Sequence, residues 1–324
     1  VVVVMMKRIA CLLQLSAFVA RLNRCLKASK HSLEVIAMRQ FEMESRLSRQ
    51  LASKKFYSPY FIQSRRYKYI IPSFVLALVQ PDIVADPQKL HAHMKTARLS
   101  EQQLAHAQEV LSCFQRHDDF KAFTEDAKAE HYYQTIREVF CLQVKELVCH
   151  DKIEYAVIQI EGKGFMYLQI RKMIGLAILI IQAGLAPREN IDRVFKGMPL
   201  PGKDKVSSFR VAPAEPLFLE YIDFRYDKIK DFLEEPGSLQ KNEAFKRTCI
   251  IPHVYRQSVK PILNFITELS GCTSGDVHVL RKFMQEEKRR LSQAGVARAS
   301  RDREPREQQD LIEQEEQAQA QEEK

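Results

Sequence analysis

Residues 161–185 read EGKGFMYLQIRKMIGLAILIIQAGL, and this stretch organises the rest of the chain. Gly162 and Gly164 permit a tight bend, and unbroken apolar sequence follows. The run from Met173 to Leu185 is shorter than the about 20 residues a bilayer span requires, so it predicts a buried core helix. Arg171 stands at the mouth of that run. A guanidinium is not neutralised in a protein, so beside an apolar helix it demands an anion, either carboxylate or phosphate.

Working outward, KIEYAVIQIEG alternates as a strand and delivers the chain into the glycines. YQTIREVFCLQVKEL, ahead of it, fits a strand or a helix, and DDFKAFTEDAK fits a turn or loop. In SRRYKYIIPSFVLAL a strand places Tyr67, Tyr69 and Ile71 on one face and Arg66, Lys68 and Ile70 on the other. Interleaved tyrosine and arginine suits a surface that stacks a base while holding a phosphate; a half-buried strand with a solvated basic edge carries the same pattern. Asp82–His93, preceded by Pro81 and containing Pro87, reads as a connector, and Ser100 caps a predicted helix over Glu101–Phe114.

Downstream, PRENIDRVFKG predicts a short helix ended by Gly197, with Asp192 and Arg193 on its wet side. A proline-marked turn leads into a strand where Leu217, Leu219 and Tyr221 share a face, and EAFKRTCIIPHVYRQ and PILNFITELSG are mostly helical. Toward the start, Val1–Met6 reads as a strand and about Ile9–Leu26 as a surface helix, in preference to a mitochondrial presequence over the acid-free segment Lys7–Lys30. SLEVIAM reads as a short strand and FYSPYF as a turn. From about Arg289 the apolar periodicity stops, leaving a polar tail, solvated helix or disordered.

With 324 residues and 45% hydrophobic content, there is material for two ordinary domains. A net charge of +9 and a pI near 9.1 fit a polyanionic partner such as nucleic acid. The seven cysteines form no CxxC pair, so reduced thiols in an intracellular protein are expected, with no metal.

Taken in order, these segments carry a resemblance. EGKGFMYLQIRKMIG resembles the helix-opening motif of the TruA class of tRNA pseudouridine synthases, closest to its eukaryotic branch. SRRYKYIIPSF resembles that class's tyrosine-bearing strand, DFKAFT its Asp/Asn-Phe-x-x-Phe segment, and APAEPLFLEYIDF its proline-led strand; FKRTCIIPHV is similar to the next segment of the eukaryotic branch. The resemblance implies enzymes that flip a uridine out of RNA, detach its base, rotate it and rejoin it through carbon, using an Asp and no cofactor or metal. It implies that Tyr67 stacks on the uracil, that Arg171 pairs with the catalytic Asp, and that Leu217 closes the apolar wall. Arg65, Arg66, Lys68, Lys163 and Lys172 are the cations expected to hold RNA.

The family's catalytic Asp sits in an Arg-Thr-Asp-x-Gly-Val motif on the N-terminal side, whereas here no Asp precedes Asp82. The expectation is that the motif would fall just upstream of Val1, and that residues 1–324 alone are inactive or nearly so. Pro216 also stands where the family usually has Gly, and Gly164 where a small hydroxyl residue is common. The expected architecture is α+β: two half-domains, each an antiparallel or mixed sheet with helices on one face, meeting at a basic cleft. The first runs over 1–95, the second over 96–230, with a helical extension over 231–290 and a polar tail over 291–324. Expected partners are tRNA or another structured RNA, with no membrane and with room for a ribonucleoprotein or homo-oligomer. The nucleus or mitochondrion is the expected compartment. The alternative is a non-catalytic RNA-binding or ribonucleoprotein component that kept the synthase fold.

Overall fold

The computed structural model describes residues 23–25, 62–125, 135–203, 205–206, 209–225, 236–270, 277, 280–286 and 289. Among these, five strands form one antiparallel sheet in the order β2-β3-β4-β1-β5. They are β1 Ile62–Pro72, β2 His117–Asp119, β3 Ile136–His150, β4 Ile153–Lys163 and β5 Leu217–Phe224. The architecture is α+β, as expected. Because β1 lies between β4 and β5, residues 62–72 belong to the same sheet as strands drawn from 96–230. The expected strand and helix before residue 26 lie outside the described residues except for Asn23–Cys25, which are helical. SLEVIAM, FYSPYF and the polar tail from residue 291 also lie outside them.

The choice left open for residues 136–150 is settled by partnership. β3 pairs with β4 from Glu138↔Lys163 to His150↔Ile153, turning through Asp151 and Lys152, both at positive φ (49° and 67°). Paired positive φ values match the right-handed twist of the flanking strands, the hairpin geometry of short loops.

The segment read as a connector is helical instead. Helices α1 (Pro81–Ala85) and α2 (Pro87–Thr96) each place a proline in the first turn, where a missing N–H costs nothing. The Asp86 carboxylate caps α2 by accepting from the N–H groups of Gln88 at 2.8 Å and Lys89 at 3.2 Å, and Leu90 and Met94 bury one face. Helix α3 (Glu101–Ser112) starts at Ser100 with a capping box to Gln103.

Helix α4 (Gln169–Ala183) is the predicted core helix, with every residue from Lys172 to Ala183 buried, and Gly184 closes it at φ 68°. It is joined to the 3-10 turn Ser73–Leu76 and the residues after it by Gln182, whose amide accepts from Val79 N at 3.1 Å and donates to the carbonyls of Val75 and Ala77. Helix α5 (Pro187–Phe195) comes next, ended by Gly197 at φ 71°. Its Asp192 is not simply wet: the carboxylate holds Arg116 at 2.8 Å.

The helical extension comprises α6 (Pro236–Phe245), a π-helical segment Lys246–Ile250 and α7 (Ile251–Ser270). It covers the sheet face opposite α4, with the Tyr255 ring 4.6 Å from that of Tyr155 and stacked on His150 at 4.3 Å. None of the described helices is long and apolar enough to cross a membrane.

Candidate active site

Strand β1 runs in register with β4, so Tyr67 lies beside Ile160, Tyr69 beside Ile158 and Ile71 beside Ala156. All three β4 residues are fully buried, which makes this the core face. On the other face Arg66 lies beside Glu161 and Lys68 beside Gln159. The two-faced pattern predicted for 65–71 is therefore present, and it separates the tyrosines from Arg66 and Lys68.

Those two cations are engaged where they stand. Arg66 Nε donates to Glu161 at 2.9 Å and its guanidinium lies 5.6 Å from the centre of the Tyr221 ring. Lys68 pairs with Glu220 at 2.8 Å. The expectation that Leu217, Leu219 and Tyr221 share a face needs correcting. Tyr69 is opposite Leu217 and Tyr67 opposite Leu219, but Arg66 is opposite Tyr221, so Glu220 is an extra residue in β5. This bulge reverses the alternation and turns Tyr221 to the Arg66 side. Leu217 and Leu219 remain beside the tyrosines, with Leu217 packed against the core.

The glycines of the bend have distinct duties. Gly162 lies under Phe165: a Cβ there would meet the Phe165 ring at 3.0 Å and would overlap the Glu138 carbonyl. Its absence lets Phe165 fold back over the sheet, where the ring meets Tyr67 edge-on at 5.5 Å and 89°. Gly164, at φ 62°, makes the reversal between strand and helix. Burial pushes the Tyr67 hydroxyl above the usual phenol range, with the charge of Arg65 acting in opposition. The phenol is therefore neutral throughout the physiological range.

Arg171 is half-buried at the start of α4. Its Nε donates to the Ala212 carbonyl at 2.6 Å, while the Ala212 N–H donates to the Arg171 carbonyl at 3.2 Å. Burial drives the Tyr69 phenol well above its ordinary value, opposed by the Arg171 charge, and its hydroxyl donates to the Pro213 carbonyl at 2.8 Å. One turn along the helix, Gly175 faces Arg210 and Ala212 so closely that a Cβ would overlap the Arg210 carbonyl. Segment 210–213 is thus held by α4 and β1 together, and it holds Arg171 in turn. Among the described residues no carboxylate lies within ion-pair distance of Arg171. One edge of the guanidinium is fixed by a carbonyl and its other nitrogens remain for an anion.

The remaining expected RNA contacts differ in setting. Lys163 is exposed but reaches Glu138 at 2.7 Å and lies 5.3 Å from the Phe140 ring. Lys172 is 2% exposed, its ammonium directed to the Thr124 carbonyl at 3.4 Å and to Glu125 at 3.3 Å. That ammonium ties α4 to the Lys121–Phe123 turn and the residues just after it. Arg65 sits at the end of the tyrosine face beside Gly162 and Ile222. Phe165, Gly175 and the Ala212 carbonyl escaped the sequence reading of the site; Gly162 and the Arg171-to-Gly175 spacing of one helical turn were the available signals.

Residues 116–227 match the profile of the family described as tRNA pseudouridine synthase. The chain is 31% identical over 203 residues to human "Pseudouridylate synthase 1 homolog", covering 59% of this chain and 42% of the relative. The mouse protein of that name is 30% identical over 203 residues, covering 59% and 43%. The Kluyveromyces lactis "tRNA pseudouridine synthase 1" is 28% identical over 178 residues, covering 52% and 30%. The chain spans less than half the length of these curated relatives. By sequence profile, residues 116–227 are similar to the TruA-type tRNA pseudouridine synthases.

Proposed function

We propose that this chain carries the uridine-receiving side of an RNA pseudouridine synthase, an isomerase of tRNA, and that residues 1–324 bind RNA without turning it over. The observation that carries the reading is Arg171, a half-buried guanidinium clamped by the Ala212 carbonyl and left without a carboxylate among the described residues. In this reading the anion is the catalytic Asp of the family, and no Asp occurs before Asp82 in the sequence. Tyr67 supplies a stacking ring for a flipped uracil, braced by Phe165, and Leu217 and Leu219 line the apolar side.

The chemistry divides accordingly. Uridine isomerisation breaks the bond from ribose C1′ to N1 and forms one from C1′ to C5; the C5 proton leaves to solvent and N1 takes up a proton from solvent. Stacking and an apolar wall keep the detached base in place while it rotates; the guanidinium holds the acid in its charged form. Arg65, on the tyrosine face beside Gly162 and Ile222, is the cation we assign to a phosphate.

The test is tritium release from tRNA carrying uridine tritiated at C5, run beside a binding measurement on the same preparation. Binding without release is expected, and robust turnover by residues 1–324 would refute the inactive reading. The setting of Arg171, with no carboxylate at ion-pair distance among the described residues, also fits one further reading, a non-catalytic RNA-binding component with the synthase fold. It parts from the first if joining an Arg-Thr-Asp-bearing N-terminal segment to the chain leaves release at background.

A further inference from the structure

Tyr167 is the most exposed of the large apolar side chains among the described residues, at 69%, yet it sits between residues that are firmly held. Phe165 and Met166 pack on the core, and Gln169 is fully buried. The turn between them is fixed on both sides. Met166 N–H donates to Gln169 Oε1 at 2.9 Å, Gln169 N–H donates to the Met166 carbonyl at 3.2 Å, and the Thr124 hydroxyl donates to the Tyr167 carbonyl at 3.1 Å.

The next residue, Leu168, has φ 61° and ψ −3°. A leucine in the left-handed region is unfavourable because its Cβ crowds the backbone carbonyl, and such strain persists only where the surroundings impose it. Leu168 lies between the exposed Tyr167 and the start of α4, with Tyr167 four residues before Arg171 in the chain. The exposed Lys121 belongs to the turn leading to Thr124, which braces Tyr167.

We propose that Tyr167 is a stacking platform for an unpaired nucleobase flanking the target uridine. A ring on a backbone already fixed in place loses little freedom when it takes up a base, and an exposed aromatic ring suits single-stranded RNA. The inference rests on the RNA-binding reading above and adds to it a contact outside the uridine pocket.

The sequence contains no tryptophan, so Tyr167→Trp introduces a sole indole probe at the position in question. Titrating this variant with unmodified tRNA transcript is expected to quench its emission, while Leu239→Trp, on the helical extension, stays bright. By filter binding, Tyr167→Ala should raise Kd about 5- to 100-fold and Tyr167→Phe should change it by less than about 2-fold. An unchanged Kd for Tyr167→Ala overturns the proposal, as does an unquenched indole at 167 or equal quenching at both positions. If the unaltered chain binds tRNA and position 167 is silent, this inference alone fails. If the unaltered chain binds no RNA, the functional reading fails with it.

Discussion

Gly175→Ala probes the clamp on Arg171 without touching any residue assigned to RNA. The added methyl group would overlap the Arg210 carbonyl oxygen and lie 3.2 Å from Ala212 N. An unstrained carbon–oxygen contact needs about 3.3 Å, so the 210–212 segment has to retreat by about 1 Å. A backbone carbonyl cannot rotate away as a side chain would. Overpacking of this kind costs about 1–3 kcal/mol, and losing a hydrogen bond to a charged group adds about 1.5–3 kcal/mol. Replacing glycine by alanine inside a helix returns about 1 kcal/mol. The net expectation is destabilisation of about 1.5–5 kcal/mol, or a fall in Tm of roughly 3–20 °C for a folded unit of this size. Thermal unfolding gives the total, and hydrogen exchange locates it: the Ala212 amide, which donates to Arg171, should lose protection before the centre of α4 does. A variant as stable as the parent, or more stable as helix propensity alone dictates, with Ala212 still protected, would refute the close-packing argument.

Other perturbations test neighbouring parts of the same frame. Gln182→Leu strips the partners from Val79 N and from the Val75 and Ala77 carbonyls, so equilibrium denaturation should report a loss of about 3 kcal/mol or more. Tyr69→Phe leaves the Pro213 carbonyl without its donor and should cost about 1–2 kcal/mol in the same assay, with little change in the far-ultraviolet spectrum. Burial pushes Tyr155 up to about 12, and raises Tyr67 and Tyr69, so these phenols should ionise after the ordinary phenol range in an absorbance titration. The unfolded chain releases those protons first, near pH 10, so the folded state binds more protons and stability falls as pH rises from about 10 towards 12. Constant stability across that window would contradict the burial of these rings.

The parts of the fold that read directly from sequence are those fixed by local chemistry. Ser100 and Gln103 mark the start of α3, and the apolar run after Arg171 marks α4. Proline misled where its role depends on position: Pro81 and Pro87 open helices, and only the Asp86 cap distinguishes that from a connector. The face reversal at Tyr221 comes from a bulge that exists only relative to β1, a register no single strand encodes. At the site, a cation beside an apolar helix announced its need for a partner, which is why Arg171 stood out. Its fixed point, the Ala212 carbonyl, lies 41 residues away and is nonlocal by nature. Lys172 shows the converse limit, since adjacent basic residues in a motif look alike until burial divides them.

Photocrosslinking tRNA transcript containing 5-iodouridine to the chain, with the adducts mapped by mass spectrometry, places the base relative to the sheet. Adducts on Tyr67 or Phe165 are the predicted result, because the proposed function puts the uracil on the face that carries Arg171. Binding accompanied by adducts confined to the opposite side, on Tyr221 or Tyr255, would contradict it.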